Sequence, residues 1–384
     1  MRGDTQATTI GPLPTHSSAR SQRAAVSTRL VWLLWVASLG VLAAVSAGVA
    51  SVDAFGIRVD GLTAVMWTAV TFFSGIVHSY SRRYMAGDAH VDRFFGLVFG
   101  FTIAVMVLVA ADAFALFVLA WLAMGAAMAG LIGHVDGWPQ AQTAARLAGR
   151  YFVASGVLVA AALTTLWWHT GVTSVSAVPN ELAAATPTVI LVAGALLLLA
   201  AMVQSALIPF HTWLLSSMTA PTPASALMHA GFVNAGGILL VRFAPVVSAD
   251  AGLMFVVVAV GAVSAISGKL LKTVQTDVKR ALGCSTIGQM GFMILQAGLG
   301  FFAAAVAHLV LHGFYKAYQF LSSGGEVAHE SPTKTKTKQS GSVGLAGVAV
   351  IVLTALAAGG VSGAVRVLVG AGRRCQRLPA KRLA

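Results

Sequence analysis

Along most of the chain, apolar residues run in blocks of about 20, broken by short stretches that carry nearly all of the charge. A bilayer core roughly 30 Å thick needs about that many helical residues, each rising about 1.5 Å. The pattern predicts spans near 30–50, 61–79, 95–111, 113–133, 150–168, 186–209, 223–245, 249–268, 282–300, 301–322 and 342–370. Transmembrane strands would alternate over ten-residue segments instead of forming unbroken blocks, so a barrel is disfavoured. The expected fold is an all-α polytopic membrane protein of about 10–11 transmembrane helices. Residues 1–28 form a polar N-terminal tail, 29–341 the main transmembrane domain, 342–370 a last hydrophobic segment and 371–384 a basic tail.

Composition reinforces the pattern, since 57% of residues are hydrophobic and only 10% are charged, values foreign to a soluble domain of this length. The first block is not a short apolar segment followed by a small-residue cleavage site, so it reads as a permanent span. A formal charge of +13 would suggest a nucleic-acid partner in a soluble protein. Here a cytoplasmic N-terminus places Arg82, Arg83, Arg93, Arg146, Arg150, Lys269, Lys272, Lys279, Arg280, Lys334, Lys336 and Lys338 inside, leaving Arg58 and Arg242 outside. The positive-inside rule therefore accounts for most of the charge, and no nucleic-acid-binding module is present in the sequence. The basic tail is the exception, because an eleventh span would export it. Cys284 and Cys375 are too few for a disulfide framework or a Cys-ligated cluster.

Three protonatable groups interrupt the block "HLVLHGFYKAYQF": His308, His312 and Lys316. Their spacing of four turns each about 40° from the last, so they share one helix stripe. A lysine at mid-membrane costs about 2.5–3.5 kcal/mol on insertion scales and is expected to face the bundle interior. Imidazoles exchange protons near neutral pH, so the stripe predicts a proton relay centred on His312 and Lys316. For His308 alone, a bond to a neighbouring carbonyl is the competing reading. A second site lies at 200–237, where Pro209 removes a helical hydrogen bond and predicts a broken or kinked helix near Gln204. His229, with Asn234, Gly236 and Gly237 following in the same predicted helix, either carries protons or only bonds across helices. Asp277 and Lys279 sit at the cytoplasmic mouth of the ninth span, as a proton entrance or as solvated flanks.

The stretches "VDGLTAVMWTAVTFFSGIVHSYSRRYMAGD", "PFHTWLLSSMTAPTPASALMHAGFVNAGG", "QTDVKRALGCSTIGQMGFM" and "HLVLHGFYKAYQFLSSG" resemble, in order, the antiporter-like proton-conducting membrane subunits shared by respiratory complex I, Mrp-type antiporters and DabB-type inorganic carbon transporters. The resemblance covers roughly residues 52–325. It implies inverted repeats of five helices, each with a broken helix, the second repeat here being incomplete. It also implies a proton pathway through His229, Lys279, His308, His312 and Lys316, with Gln204 at the position of a family lysine. Two departures fall in the first repeat: Leu122 follows Trp121 where complex I subunits show Trp-Glu, and Gln204 has no titratable charge. The first half-channel is therefore not expected to work as it does in complex I.

Within the family, "PFHTWL" followed by "MHAGFVNAGGILLVRFAP" looks most like DabB. That implies a multi-pass subunit of the inner cell membrane that moves protons to energise a large zinc-containing, DabA-like soluble partner handling carbon dioxide or bicarbonate. The alternatives are a NuoL-like subunit of NADH:quinone oxidoreductase, an Mrp-type antiporter subunit with its own membrane partners, or a truncated, non-conducting scaffold. No catalytic residue, cofactor site or metal site is expected in this chain. "AAGGVSG" at 357–363 could supply a second helix break before the tail.

Overall fold

A computed structural model describes residues 21–49, 51–182 and 185–323. The predicted segment 342–370, the "AAGGVSG" stretch and the basic tail lie outside the described residues. The helices are α1 (Gln22–Ser46), α2 (Gly61–Tyr84), α3 (Val91–Ala110), α4 (Phe114–Ile132), α5 (Pro139–Thr170), the short α6 (Val178–Glu181), α7 (Pro187–Gln204), the short α8 (Thr212–Ser216), α9 (Thr222–Ala230), α10 (Ala235–Arg242), the short α11 (Ala244–Val247), α12 (Ala251–Thr273), α13 (Val278–Gly298) and α14 (Phe302–Ser323). Among the described residues, eight helical segments are long and apolar enough to cross a membrane, with α9 and α10 counting as one. Helices α13 and α14 have spanning length as well, but they carry the polar positions.

Several elements differ from the sequence reading. Helix α1 starts at Gln22, inside the stretch predicted to be a polar tail, because the Ser21 hydroxyl caps it by accepting from Ala24 N at 3.1 Å. Helix α5 runs well beyond the predicted 150–168, starting with Pro139 in its first turn and ending at Gly171, whose φ of 72° stops the helix. The all-helical expectation also overlooked a small antiparallel hairpin, β1 (Val52–Ala54) with β2 (Ile57–Val59). Its two-residue turn, Phe55–Gly56, takes positive φ at both positions.

Helix breaks shape the region around the candidate site. Helix α7 stops at Gln204; Ala206 follows in the left-handed region, and the Ile208–Pro209 bond is cis. The span expected at 223–245 is likewise interrupted, at Gly231, by a 3-10 turn over Phe232–Asn234 between α9 and α10. Asn234 is therefore at the break and not within a continuous helix with His229. Its side-chain amide donates to Ala230 O at 2.7 Å, satisfying a carbonyl that the break would otherwise strand.

Packing between α12 and α13 is a backbone-to-backbone seam. A Cβ on Gly261 would meet the α13 backbone at Leu295 and Gly291, and one on Gly291 would meet that of α12 at Ala265 and Gly261. Only glycine permits that approach, the usual device for joining helices in lipid. Elsewhere an aromatic cluster of Phe152, Trp213 and Phe232, with ring centroids 4.5–5.8 Å apart, locks α5 against the broken segments. At one membrane face Arg242, at the end of α10, reaches both Asp60 oxygens (2.5 and 3.2 Å), Thr63 Oγ1 (2.6 Å) and Val109 O (2.5 Å). Arg242 is thus in a helix terminus and not in an outside loop.

Candidate functional site

Helices α9, α13 and α14 hold most of the candidate residues. Helix α14 lies antiparallel along α13, with Lys316 beside Leu282 and the His308 ring 5.4 Å from that of Phe292. Lys316 is completely buried, and its Nζ donates to Leu282 O at 2.9 Å. Thr286, one turn further along α13, donates its hydroxyl to the same carbonyl at 3.0 Å. On its other side Thr286 Oγ1 lies 3.0 Å from Nδ1 of His229, which is also fully buried. The His229 ring stacks on Phe320 of α14 at 4.3 Å and 11°, which fixes its plane. His229 and Lys316, from separate helices, are therefore linked through two groups of α13.

His312 is one turn from Lys316 and is 5% exposed, yet neither ring nitrogen has a hydrogen-bond partner among the described residues. Its ring centroid is 6.1 Å from that of His308, about the spacing that one water bridges between imidazole nitrogens. His308 is partly buried, one turn nearer the start of α14. No hydrogen bond to a carbonyl holds it among the described residues.

The remaining candidates are arranged differently. Lys279 is in the first turn of α13 and donates to Ala220 O, ahead of α9, at 3.3 Å. Asp277 is exposed and caps α13 by accepting from Arg280 N at 2.7 Å; it forms no ion pair with Lys279. Gln204 is buried at the end of α7 with both amide atoms unpartnered, and no hydrogen bond joins it to the His229–Lys316 group among the described residues. Pro209 stands beyond the α7 break, on the exposed side of the loop. In the first repeat Trp121 donates to Ser155 Oγ at 3.2 Å, and Leu122 packs onto Gly156.

Among the buried polar residues that sequence reasoning missed, Thr286, His78 and His134 stand out. Thr286 shares a helix face with Lys279, seven positions earlier, a spacing that could have marked it. His78 is fully buried on α2, its Nδ1 2.8 Å from Ser74 O, with Nε2 unpartnered and Ser74 bonded to Thr102 of α3 at 2.5 Å. His134, between α4 and α5, has Nε2 3.3 Å from Asp88. Nearby, hydrogen bonds from Arg93 (2.8 and 3.0 Å) hold the surface Asp136 carboxyl below the ordinary carboxylate value.

Comparison with known proteins assigns the family. Residues 111–361 match the family described as NADH:quinone oxidoreductase/Mrp antiporter, TM, and residues 50–95 match the N-terminal part of NADH-ubiquinone oxidoreductase (complex I) chain 5. The chain belongs to the NADH:quinone oxidoreductase/Mrp antiporter family. It is 39% identical over 280 residues to the probable inorganic carbon transporter subunit DabB1 of Halothiobacillus neapolitanus, covering 71% of this chain and 50% of that one. It is 37% identical over 286 residues to NADH-quinone oxidoreductase subunit L of Mycobacterium tuberculosis, covering 74% of this chain and 45% of that one. Among solved structures, the Mrp complex from Dietzia superposes with a TM-score of 0.70 at 28% identity, covering 78% of this chain and 36% of that chain. The chain spans about half the length of the curated relatives it matches. As a member of the antiporter family it is a multi-pass, proton-antiporter-like membrane subunit.

Proposed function

We propose that this chain is the proton-conducting subunit of a DabB-type inorganic carbon transporter, with Lys316 and His312 as the central relay and His229 linking the two halves. One observation carries the reading: Lys316 is wholly buried, bonded to the backbone carbonyl of Leu282, and flanked by imidazoles on both sides. Protons enter past Lys279, exchange at Lys316 and His229, and continue through His312 to His308 with water bridging the gaps. Asp277 supplies negative charge at the mouth. Gln204 and Leu122 carry no proton, so transfer is confined to the second set of helices.

Basic residues at the ends of α2 and α12 and toward the beginnings of α3, α5 and α13 support a cytoplasmic N-terminus in the cell membrane. The similarity to DabB1 supports a subunit of an inorganic carbon transporter; in this reading a zinc-containing, DabA-like soluble partner carries any hydration chemistry. The test expresses the chain with such a partner in carbonic-anhydrase-deficient cells. Lys316→Ala is expected to abolish growth in air; undiminished growth rules out the relay. The similarity to subunit L supports a second reading, a NuoL-like subunit of NADH:quinone oxidoreductase. Copurification separates the two: one large soluble zinc protein supports the transporter, and iron–sulfur subunits support the oxidoreductase.

A further inference from the structure

Thr286 stands between the two groups that the relay needs most, and nothing in the family match assigns it a role. It is fully buried on α13, one turn from Leu282. Leu282 O accepts from Lys316 Nζ at 2.9 Å and from Thr286 Oγ1 at 3.0 Å, so the lysine and hydroxyl are less than about 6 Å apart. A hydroxyl has a single hydrogen. With that hydrogen given to Leu282 O, the oxygen facing His229 at 3.0 Å can only accept, which requires the proton of the neutral imidazole to be on Nδ1. Nε2 is left as a bare lone pair, and it has no partner among the described residues. Stacking on Phe320 fixes the plane of the ring, and the Thr286 hydroxyl fixes which nitrogen faces α13.

We infer that Thr286 is a positioning residue of this relay: its hydroxyl holds His229 in the Nδ1–H tautomer and ties that ring to Lys316 through the Leu282 carbonyl they share. His229 then gains and releases its mobile proton at Nε2, while the Nδ1 proton stays in place. The coupling to Lys316 is electrostatic and orientational. Lys316 and Thr286 donate to Leu282 O together, so a change of charge on the lysine acts at the oxygen that also orients the hydroxyl facing His229. The carbonyl itself carries no proton. Other charged or titratable groups facing this junction are Lys279 on α13 and His312 on α14, neither of which bonds to Thr286.

The inference rests on the relay reading, and two substitutions at Thr286 beside Lys316→Ala distinguish them. The full chain is reconstituted in liposomes, and proton flux is followed under an imposed potential. Thr286→Val keeps the shape, removes the hydroxyl, and is expected to lower flux about 10–100-fold, the scale seen when the hydrogen-bond partner that orients a metal-bound histidine is lost. Thr286→Ser keeps the hydroxyl and is expected to recover most of the flux. In parallel, nitrogen NMR of histidine-labelled protein reads the His229 tautomer: Nδ1–H in the parent and the Ser variant, a mixture in the Val variant. Unchanged flux for Thr286→Val beside lost flux for Lys316→Ala overturns the role of Thr286 and leaves the relay standing. Unchanged flux in both variants overturns the relay and this inference together. A His229 spectrum that is Nδ1–H in the Val variant also overturns the inference.

Discussion

Replacing Asp60 with asparagine tests the clamp that joins three helices at one membrane face. Arg242 has a side chain only 11% exposed and donates to both carboxylate oxygens of Asp60, whose own side chain is 27% exposed. Breaking a fully buried ion pair by removing one partner costs about 3–5 kcal/mol, and the partial exposure here scales that to roughly 2 kcal/mol. The guanidinium keeps Thr63 Oγ1 and Val109 O, so it is not stranded. An asparagine side chain would still cap α2 by accepting from Thr63 N, whereas alanine would forfeit the cap as well, adding about 1 kcal/mol. On the scale of domains of about 150–250 residues, a loss of 2 kcal/mol lowers Tm by roughly 4–8 °C. Thermal unfolding in detergent, followed by tryptophan fluorescence, provides the comparison. Burial raises the Asp60 carboxyl, but the Arg242 charge and the hydrogen bonds from Arg242 and Thr63 outweigh it, leaving its pKa below the ordinary value. A folded pKa that is depressed contributes stability above the unfolded value, near 3.9, and that contribution fades as pH falls through the lower folded value. The parent should therefore exceed Asp60→Asn by a constant margin from about pH 8 to 5, and the two curves should converge in stronger acid. Equal Tm for parent, Asp60→Asn and Asp60→Ala at neutral pH would refute the clamp.

Two further substitutions probe regions around the proposed pathway. Gly291→Ala adds a Cβ that meets Gly261 O at 2.8 Å and must push α12 from α13, an overpacking expected to cost about 1–3 kcal/mol in thermal stability; an unchanged Tm would show that the seam can open freely. Gln204→Met keeps the volume and removes an amide with neither atom partnered, so it is expected to stabilise the protein by about 1–3 kcal/mol. A destabilised methionine variant in the same melting assay would show that the amide is bonded after all.

How much of this could be read from the chain depends on the kind of signal. Long apolar blocks located the helices, because the bilayer demands about 20 apolar residues per crossing whatever the tertiary packing. Spacing of four placed His308, His312 and Lys316 on one stripe of α14, since helical periodicity is local. The break at Gly231 was hidden, because a glycine within an apolar stretch reads equally well as close packing. The hairpin at 52–59 was too short for its alternation to register. Partners were the least visible. Leu282 contributes to the site only its carbonyl, which every residue possesses, and Thr286 shares that oxygen with Lys316, which is 34 positions beyond Leu282. Arg242 looked like a loop cation because Asp60, its counter-ion, is 182 positions distant.

The chemistry of Lys316 also argues against a purely architectural role. An ammonium offers three donors, and Leu282 O accepts only one of them. Among the described residues no carboxylate is within ion-pair distance of Nζ; the carboxylates in ion pairs there partner other cations. A lysine buried for structure alone is expected to carry a permanent counter-ion, as Arg242 does in Asp60, because an uncompensated charge in an apolar interior is costly. The two cations thus contrast within one fold. Arg242, which cannot give up its proton, is clamped by a carboxylate, while Lys316, which can, is held by a neutral carbonyl that tolerates either charge state. That tolerance is what a proton carrier requires, and a fixed counter-ion at Leu282 would remove it.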